Sequence, residues 1–202
     1  MRLIVFCMVL SNLIFSQEIP EVSYGRIERI ENFQSQFVTP RTIDVWLPED
    51  YSTTKKYAVL YMHDGQMLFD STTTWNKKEW RVDETADSLI SNGITRPFIV
   101  VGIYNDPPNR YAEFFPKQAA QYMDTAYVSK LTSSLWNGEL RADFYLEWMK
   151  KELVPFIEQT YSVSHKREDR FLIGSSMGGL ISIYGLTRIP DTFGGAACLS
   201  IH

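Results

Sequence analysis

Gly174-Ser175-Ser176-Met177-Gly178 fits the spacing G-x-S-x-G, and the chemistry this spacing serves is nucleophilic attack by a serine hydroxyl. A serine used in this way must stand on a sharp turn between a strand and a helix. The flanking glycines leave no β-carbon in its way. The apolar run Arg170 to Ile173 can supply the strand, and the segment from about Met177 to Arg188 the helix. The residue after the serine then aims its N–H at the charge developing on a carbonyl oxygen, assisted by the helix N-terminus. Ser176 is therefore the candidate nucleophile and the Met177 N–H a candidate oxyanion donor. A glycine-rich turn that only packs a helix against a sheet would read the same way over these five residues. No pair of histidines or carboxylates has metal-ligand spacing, and there is no G-x-G-x-x-G or P-loop run, so neither metal nor cofactor is expected.

The elements that must position this turn can be read from periodicity. Gly25 to Ile30 and Arg41 to Leu47 alternate, with Thr42/Asp44/Trp46 set against Ile43/Val45/Leu47, as in half-buried antiparallel strands. Tyr57 to Met62 and Phe98 to Val101, within Pro97 to Tyr104, are continuous apolar runs expected of central strands covered on both faces. Trp80 to Ser91 has a helical spacing, with Val82, Ala86, Leu89 and Ile90 on one face and Gly93 as the stop. Ala142 to Tyr161 is the clearest helix. It places Tyr145, Trp148, Met149, Leu153, Phe156 and Ile157 on one side and carries a kink at Pro155. A last strand starts at Ala196. Asn105 to Asn137 has no clear period and reads as an irregular functional loop or lid. Strands separated by helices predict an α/β fold, a mostly parallel sheet with helices on both faces.

Size and composition bound the function. A chain of 202 residues, 45% apolar and 22% charged, is one globular domain with room for a core. A net charge of −4 and a pI near 5.4 give no electrostatic case for a nucleic-acid partner or an anionic membrane. Met1-Arg2, the apolar run Leu3 to Phe15 and Ser16-Gln17 read as a secretory signal over residues 1–16, cleaved after Ser16, ahead of a domain at 17–202. The run is too short to span a bilayer, so no stable membrane span is expected, and the product would be secreted or periplasmic. Cys7 would leave with the signal. Cys198 would then be the sole cysteine, a buried and inert thiol in an apolar strand.

Several further motifs carry a resemblance. Tyr61 to Asp70 (Tyr-Met-His-Asp-Gly-Gln-Met-Leu-Phe-Asp), Glu79-Trp80-Arg81-Val82-Asp83-Glu84, Glu152 to Ile157, Gly174 to Gly179 and Ile189 to Phe193 resemble the esterase family related to esterase D. That family contains feruloyl and acetylxylan esterases, enterochelin esterases, S-formylglutathione hydrolases and mycolyltransferases. The resemblance covers nearly all the chain after the signal and implies the α/β-hydrolase fold. It assigns Ser176 as nucleophile, the Met177 N–H as one oxyanion donor, and the Gln66 N–H as the second, with Gly65 the alternative. His63, Asp64 and Gly65 would support the oxyanion loop.

In that fold an acid and a histidine follow the nucleophile in chain order. After Ser176 the chain offers only Asp191, in a structural turn, and the terminal His202. The resemblance therefore implies a chain lacking the last two strands, with its acid and base beyond residue 202. His63 is expected to orient the oxyanion loop and His165 to be solvated. Trp75, Trp136, Tyr104, Tyr111 and Phe114 lie in loops that could reach the serine and stack on a sugar or phenolic ring, or could pack those loops. The expected activity is serine ester hydrolysis on a small-molecule or glycan-linked ester. An acyltransferase, and a non-catalytic ligand-binding homologue, are the alternatives.

Overall fold

A computed structural model describes residues 18–201. The signal read over residues 1–16, Cys7 and His202 lie outside the described residues. The alternating segments form β1 (Arg26–Phe33) and β2 (Arg41–Leu47), paired antiparallel. The continuous apolar runs form β3 (Ala58–His63) and β4 (Phe98–Ile103), while β5 (Arg170–Ser175) and β6 (Gly195–Leu199) complete the sheet. The strand order is β1-β2-β4-β3-β5-β6. The last four strands are mutually parallel, and β2 joins β4 antiparallel.

Alternation along the central strands divides the core between two faces. Met62 and Val100 point to the side of helix α1 (Val82–Ser91), where they pack with Trp46, Val82 and Ala86. Tyr61, Val59 and Val101 point to the other side. There they meet Tyr145 and Leu146 of α4 (Ala142–Trp148), Ile157 of α5 (Val154–Thr160) and Ile181 of α6 (Met177–Arg188). Helices thus cover both faces, as the strand–helix alternation predicts.

Four expectations are corrected in detail. Residues 105–137 are not a structureless lid: they hold α2 (Arg110–Phe114), a short helical turn (Lys117–Tyr122) and α3 (Thr125–Ser134). None of the α3 residues is buried, so no apolar stripe marks that helix in the sequence, although Asp124 caps it by accepting from the N–H groups of Ala126 and Tyr127. The long helix over 142–161 is divided by a π-helical turn, Met149–Leu153, immediately before Pro155. Pro155 has no N–H to donate and its ring presses on the carbonyl four residues back, so the helix widens there. Helix α1 begins at Val82 because Arg81 takes a left-handed conformation, φ 54°. Cys198 is only half-buried, since β6 is the edge strand of the described sheet; burial still pushes its thiol pKa up.

Because β3, β4 and β5 run parallel, the segments after all three emerge at one end of the sheet. That is where ligands bind in open α/β folds. His63 and Asp64, Asn105 to Arg110, and Ser176 are gathered there.

Candidate active site

Ser176 links β5 to α6 with φ 55° and ψ −122°. These are the angles of the first central residue of a type II′ turn, a position that glycine normally takes. Holding a serine there costs on the order of 1–3 kcal/mol and needs support on both sides. The support is visible. The Ser176 N–H donates to the carbonyl of Leu199 at the end of β6 (2.9 Å), and the Ser176 carbonyl accepts from Gly179 (3.0 Å) and Leu180 (3.2 Å). Gly174 and Gly178 let the strand and helix close on each other: a β-carbon on Gly174 would lie 2.3 Å from the carbonyl carbon of Gly178. The Ser182 hydroxyl donates to the Gly178 carbonyl at 2.7 Å, fixing the first turn of α6. Met177 is the first residue of that helix, where backbone N–H groups have no intrahelical acceptor.

A cavity of about 330 Å³ opens beside Ser175 and Ser176. Its far wall is the tight turn Gly65–Met67, which contributes Gln66 and Met67. Within that turn the Met67 N–H bonds the Asp64 carbonyl (2.9 Å) and the Leu68 N–H bonds that of Gly65 (3.4 Å). Gln66, Met177 and Ser176 are therefore neighbours at one end of the sheet. Gly65 itself lies flat on β4, where a β-carbon would stand 2.5 Å from the Gly102 carbonyl carbon.

His63 is fully buried beneath this end of the sheet. Its Nδ1 shares a 2.9 Å hydrogen bond with the Tyr145 hydroxyl of α4, so the ring is tied to that helix and not to the turn. Burial pushes its pKa down to about 4, which keeps it neutral at neutral pH. Asp64 carries the direct ties to the neighbouring loop. Its carboxylate accepts from Arg110 Nε (2.7 Å) and Nη2 (2.8 Å) and from Asn105 Nδ2 (2.6 Å). The hydrogen bonds from Arg110 to Asp64 raise the Arg110 pKa further above its ordinary value. Neither Arg110 nor Asn105 stands out in the sequence, because the partner of both lies more than forty residues away.

Of the aromatic residues expected near the serine, Trp75 lines the cavity and is 84% exposed; Trp80, which is not among them, lines it too. Trp136 and Phe114 are buried instead. Tyr104 is also buried, because its hydroxyl donates to Asp44 (2.9 Å) inside an Arg29–Asp44 pair. Tyr111 is exposed outside the cavity. His165 is exposed in the segment before β5, at the opposite end of the strand from Ser176, and Asp191 is exposed in the turn after α6. Among the described residues, then, no histidine stands ready as a base for Ser176. A larger hollow of about 460 Å³ lies on the sheet face beside α1, lined by Leu60, Leu89, Phe98 and Phe171. Its lining holds no serine, cysteine or histidine and does not include Ser176.

Comparisons with known proteins bear on the family and the fold. The family model described as "Putative esterase" matches residues 35–202. An uncharacterized protein of Bacillus subtilis, YbbA, is 27% identical over 161 residues, covering 79% of this chain and 56% of that one. An endo-1,4-beta-xylanase/feruloyl esterase of Xylanibacter ruminicola is 26% identical over 188 residues, covering 86% of this chain and 21% of that protein. The solved structure of a ferulic acid esterase from Anaeromyces mucronatus superposes with a TM-score of 0.58 at 22% identity, over 89% of this chain and 60% of that one. The shared fold is the α/β-hydrolase fold. The chain spans less than two thirds of the length of each of these proteins.

Proposed function

We propose, for a chain that belongs to this esterase family, that it is a serine carboxylic ester hydrolase working through an acyl-enzyme on Ser176. The observation that carries this reading is the strained turn of Ser176 between β5 and α6, opening onto a cavity shared with Gln66. Ser176 Oγ attacks the ester carbonyl and its proton passes to a base. The carbonyl oxygen gains a negative charge that the N–H groups of Met177 and Gln66 stabilise. Collapse of this intermediate expels the alcohol and leaves the acyl group on Ser176, and water then releases the acid. One such donor is worth roughly 2.7–4 kcal/mol of transition-state stabilisation. Neither histidine of the described residues takes that proton in this scheme, since His63 is buried against Tyr145 and His165 lies at the opposite end of β5 from Ser176.

The proposed substrate is a carbohydrate-linked ester with a planar acyl group. Exposed Trp75 at the cavity supports this, as do the feruloyl and ferulic acid esterases among similar proteins. Export to the periplasm or the exterior is part of the proposal and rests on the leader read at residues 1–16. The test is covalent labelling by a fluorophosphonate, followed by peptide mass spectrometry. Modification at Ser176 supports the reading, and modification elsewhere or none at all counts against it. Adding an alcohol acceptor to the assay and analysing products separates hydrolysis from acyl transfer.

A further inference from the structure

We infer that Arg110, with Asn105, is a positioning residue for the second oxyanion donor, acting through Asp64. The inference rests on the ester-hydrolase reading for its catalytic consequence and on geometry for the rest. Asp64 follows β3 directly and takes a left-handed conformation, φ 59° and ψ 46°. A non-glycine residue is disfavoured there, and Asp is among the few that tolerate it. The conformation turns the chain into Gly65–Met67 and so sets where the Gln66 N–H faces. What holds Asp64 in place is the guanidinium fork of Arg110 together with the amide of Asn105. Asn105 adds a second link, because its backbone N–H donates to Gln66 Oε1 at 3.2 Å.

Arg110 is itself anchored. It begins α2, and three residues on Glu113 is held by both terminal nitrogens of Arg41 on β2, at 2.9 and 2.7 Å, in a fully buried pair. The Arg110 guanidinium also lies 5.3 Å from the ring centre of Phe114, a buried aromatic. The path from β2 through α2 to the turn is thus made of two forked ion pairs on a rigid sheet.

The same carboxylate reaches the other half of the proposed oxyanion site. Asp64 Oδ2 stands 3.4 Å from where a β-carbon on Gly178 would be, against the first turn of α6. An unneutralised carboxylate at that spot would oppose a negative charge developing near Met177. Arg110 cancels it through two charge-assisted bonds. One side chain therefore fixes the turn and removes the nearest opposing charge.

The test compares Arg110→Ala, Arg110→Lys and Asn105→Ala in the full chain by two readouts. The first is amide hydrogen exchange in the peptide covering residues 64–68, with the β5–α6 peptide as internal reference. Faster exchange in residues 64–68 alone is expected for Arg110→Ala, and unchanged exchange overturns the inference. The second is the rate of fluorophosphonate labelling at Ser176, expected to fall on the order of 10- to 100-fold, less than or near the loss of a whole donor. Arg110→Lys keeps the charge without the fork and should fall with Arg110→Ala. Faster exchange with labelling intact would overturn the link to the donor. If Arg110→Ala does not fold, Asn105→Ala, which removes one bond to Asp64, decides by the same two readouts. A wild-type protein that does not label at Ser176 would count against the ester-hydrolase reading instead, and exchange would still decide whether the clamp holds the turn.

Discussion

Gly174 and Gly178, the two glycines that bracket Ser176, face each other so closely that a β-carbon on the first would lie 2.3 Å from the carbonyl carbon and oxygen of the second. The obstacle is backbone, so no side chain can swing away to make room. Gly174→Ala is expected to destabilise the protein at or above the upper end of the roughly 1–3 kcal/mol that overpacking costs. It should also displace Ser176. A urea titration measures the first effect and labelling at Ser176 the second. A variant as stable as wild type would show that the elbow is looser than this geometry requires.

His63 ties stability to pH. Its pKa is lowered from 6.5 to about 4 by burial, so the unfolded chain binds a proton that the folded protein refuses. The resulting stability is fully present above about pH 6.5 and is lost as the pH falls toward 4. At roughly 1.4 kcal/mol per pH unit the loss amounts to about 3 kcal/mol. His63→Asn, which can keep a hydrogen bond to Tyr145, should flatten the pH dependence between these limits. Urea midpoints at pH 7 and pH 4 for both proteins provide the check, and parallel slopes would contradict it.

The Arg41–Glu113 pair is buried on both sides, with side chains 2% and 1% exposed. Cutting one partner leaves an unpaired charge in the core. Glu113→Ala should therefore cost about 3–5 kcal/mol, whereas replacing both by apolar residues of similar volume should cost much less. Denaturant unfolding of the single and double variants distinguishes the two. Equal losses would show that the pair acts mainly through its packing on Tyr145 and Trp148, over whose rings the Arg41 guanidinium lies.

Trp75 is so exposed that its removal should leave stability within about 0.5 kcal/mol of wild type. If its ring stacks on a planar acyl group, Trp75→Ala should raise KM for methyl ferulate about 3- to 10-fold, the equivalent of roughly 0.5–1.5 kcal/mol. KM for p-nitrophenyl acetate, whose acyl group has no ring, should hardly move. Equal effects on the two esters would remove Trp75 from substrate recognition.

The sequence displays best whatever local periodicity and glycine punctuation control. Strand β2 is legible from its alternation, and α6 from the glycines before it and its apolar face. The helices of residues 105–137 are not legible, because α2 depends on pairings of Glu113 with Arg41 and Arg110 with Asp64, 72 and 46 residues apart. For the same reason Ser176 and Gln66 can be nominated from motifs, while Arg110 and Asn105 come into view only once β3 and β4 lie side by side. The aromatics show the limit from the other direction. Composition cannot separate Trp75, which reaches the cavity, from Trp136 and Phe114, which fill the core.

The most direct measurement is hydrolysis of p-nitrophenyl acetate by the protein and by its Ser176→Ala variant under identical conditions. Turnover is expected to disappear with the Ser176 hydroxyl while the unfolding midpoint is unchanged. Equal rates for the two proteins would contradict it, since the strained turn would then hold a serine that performs no chemistry.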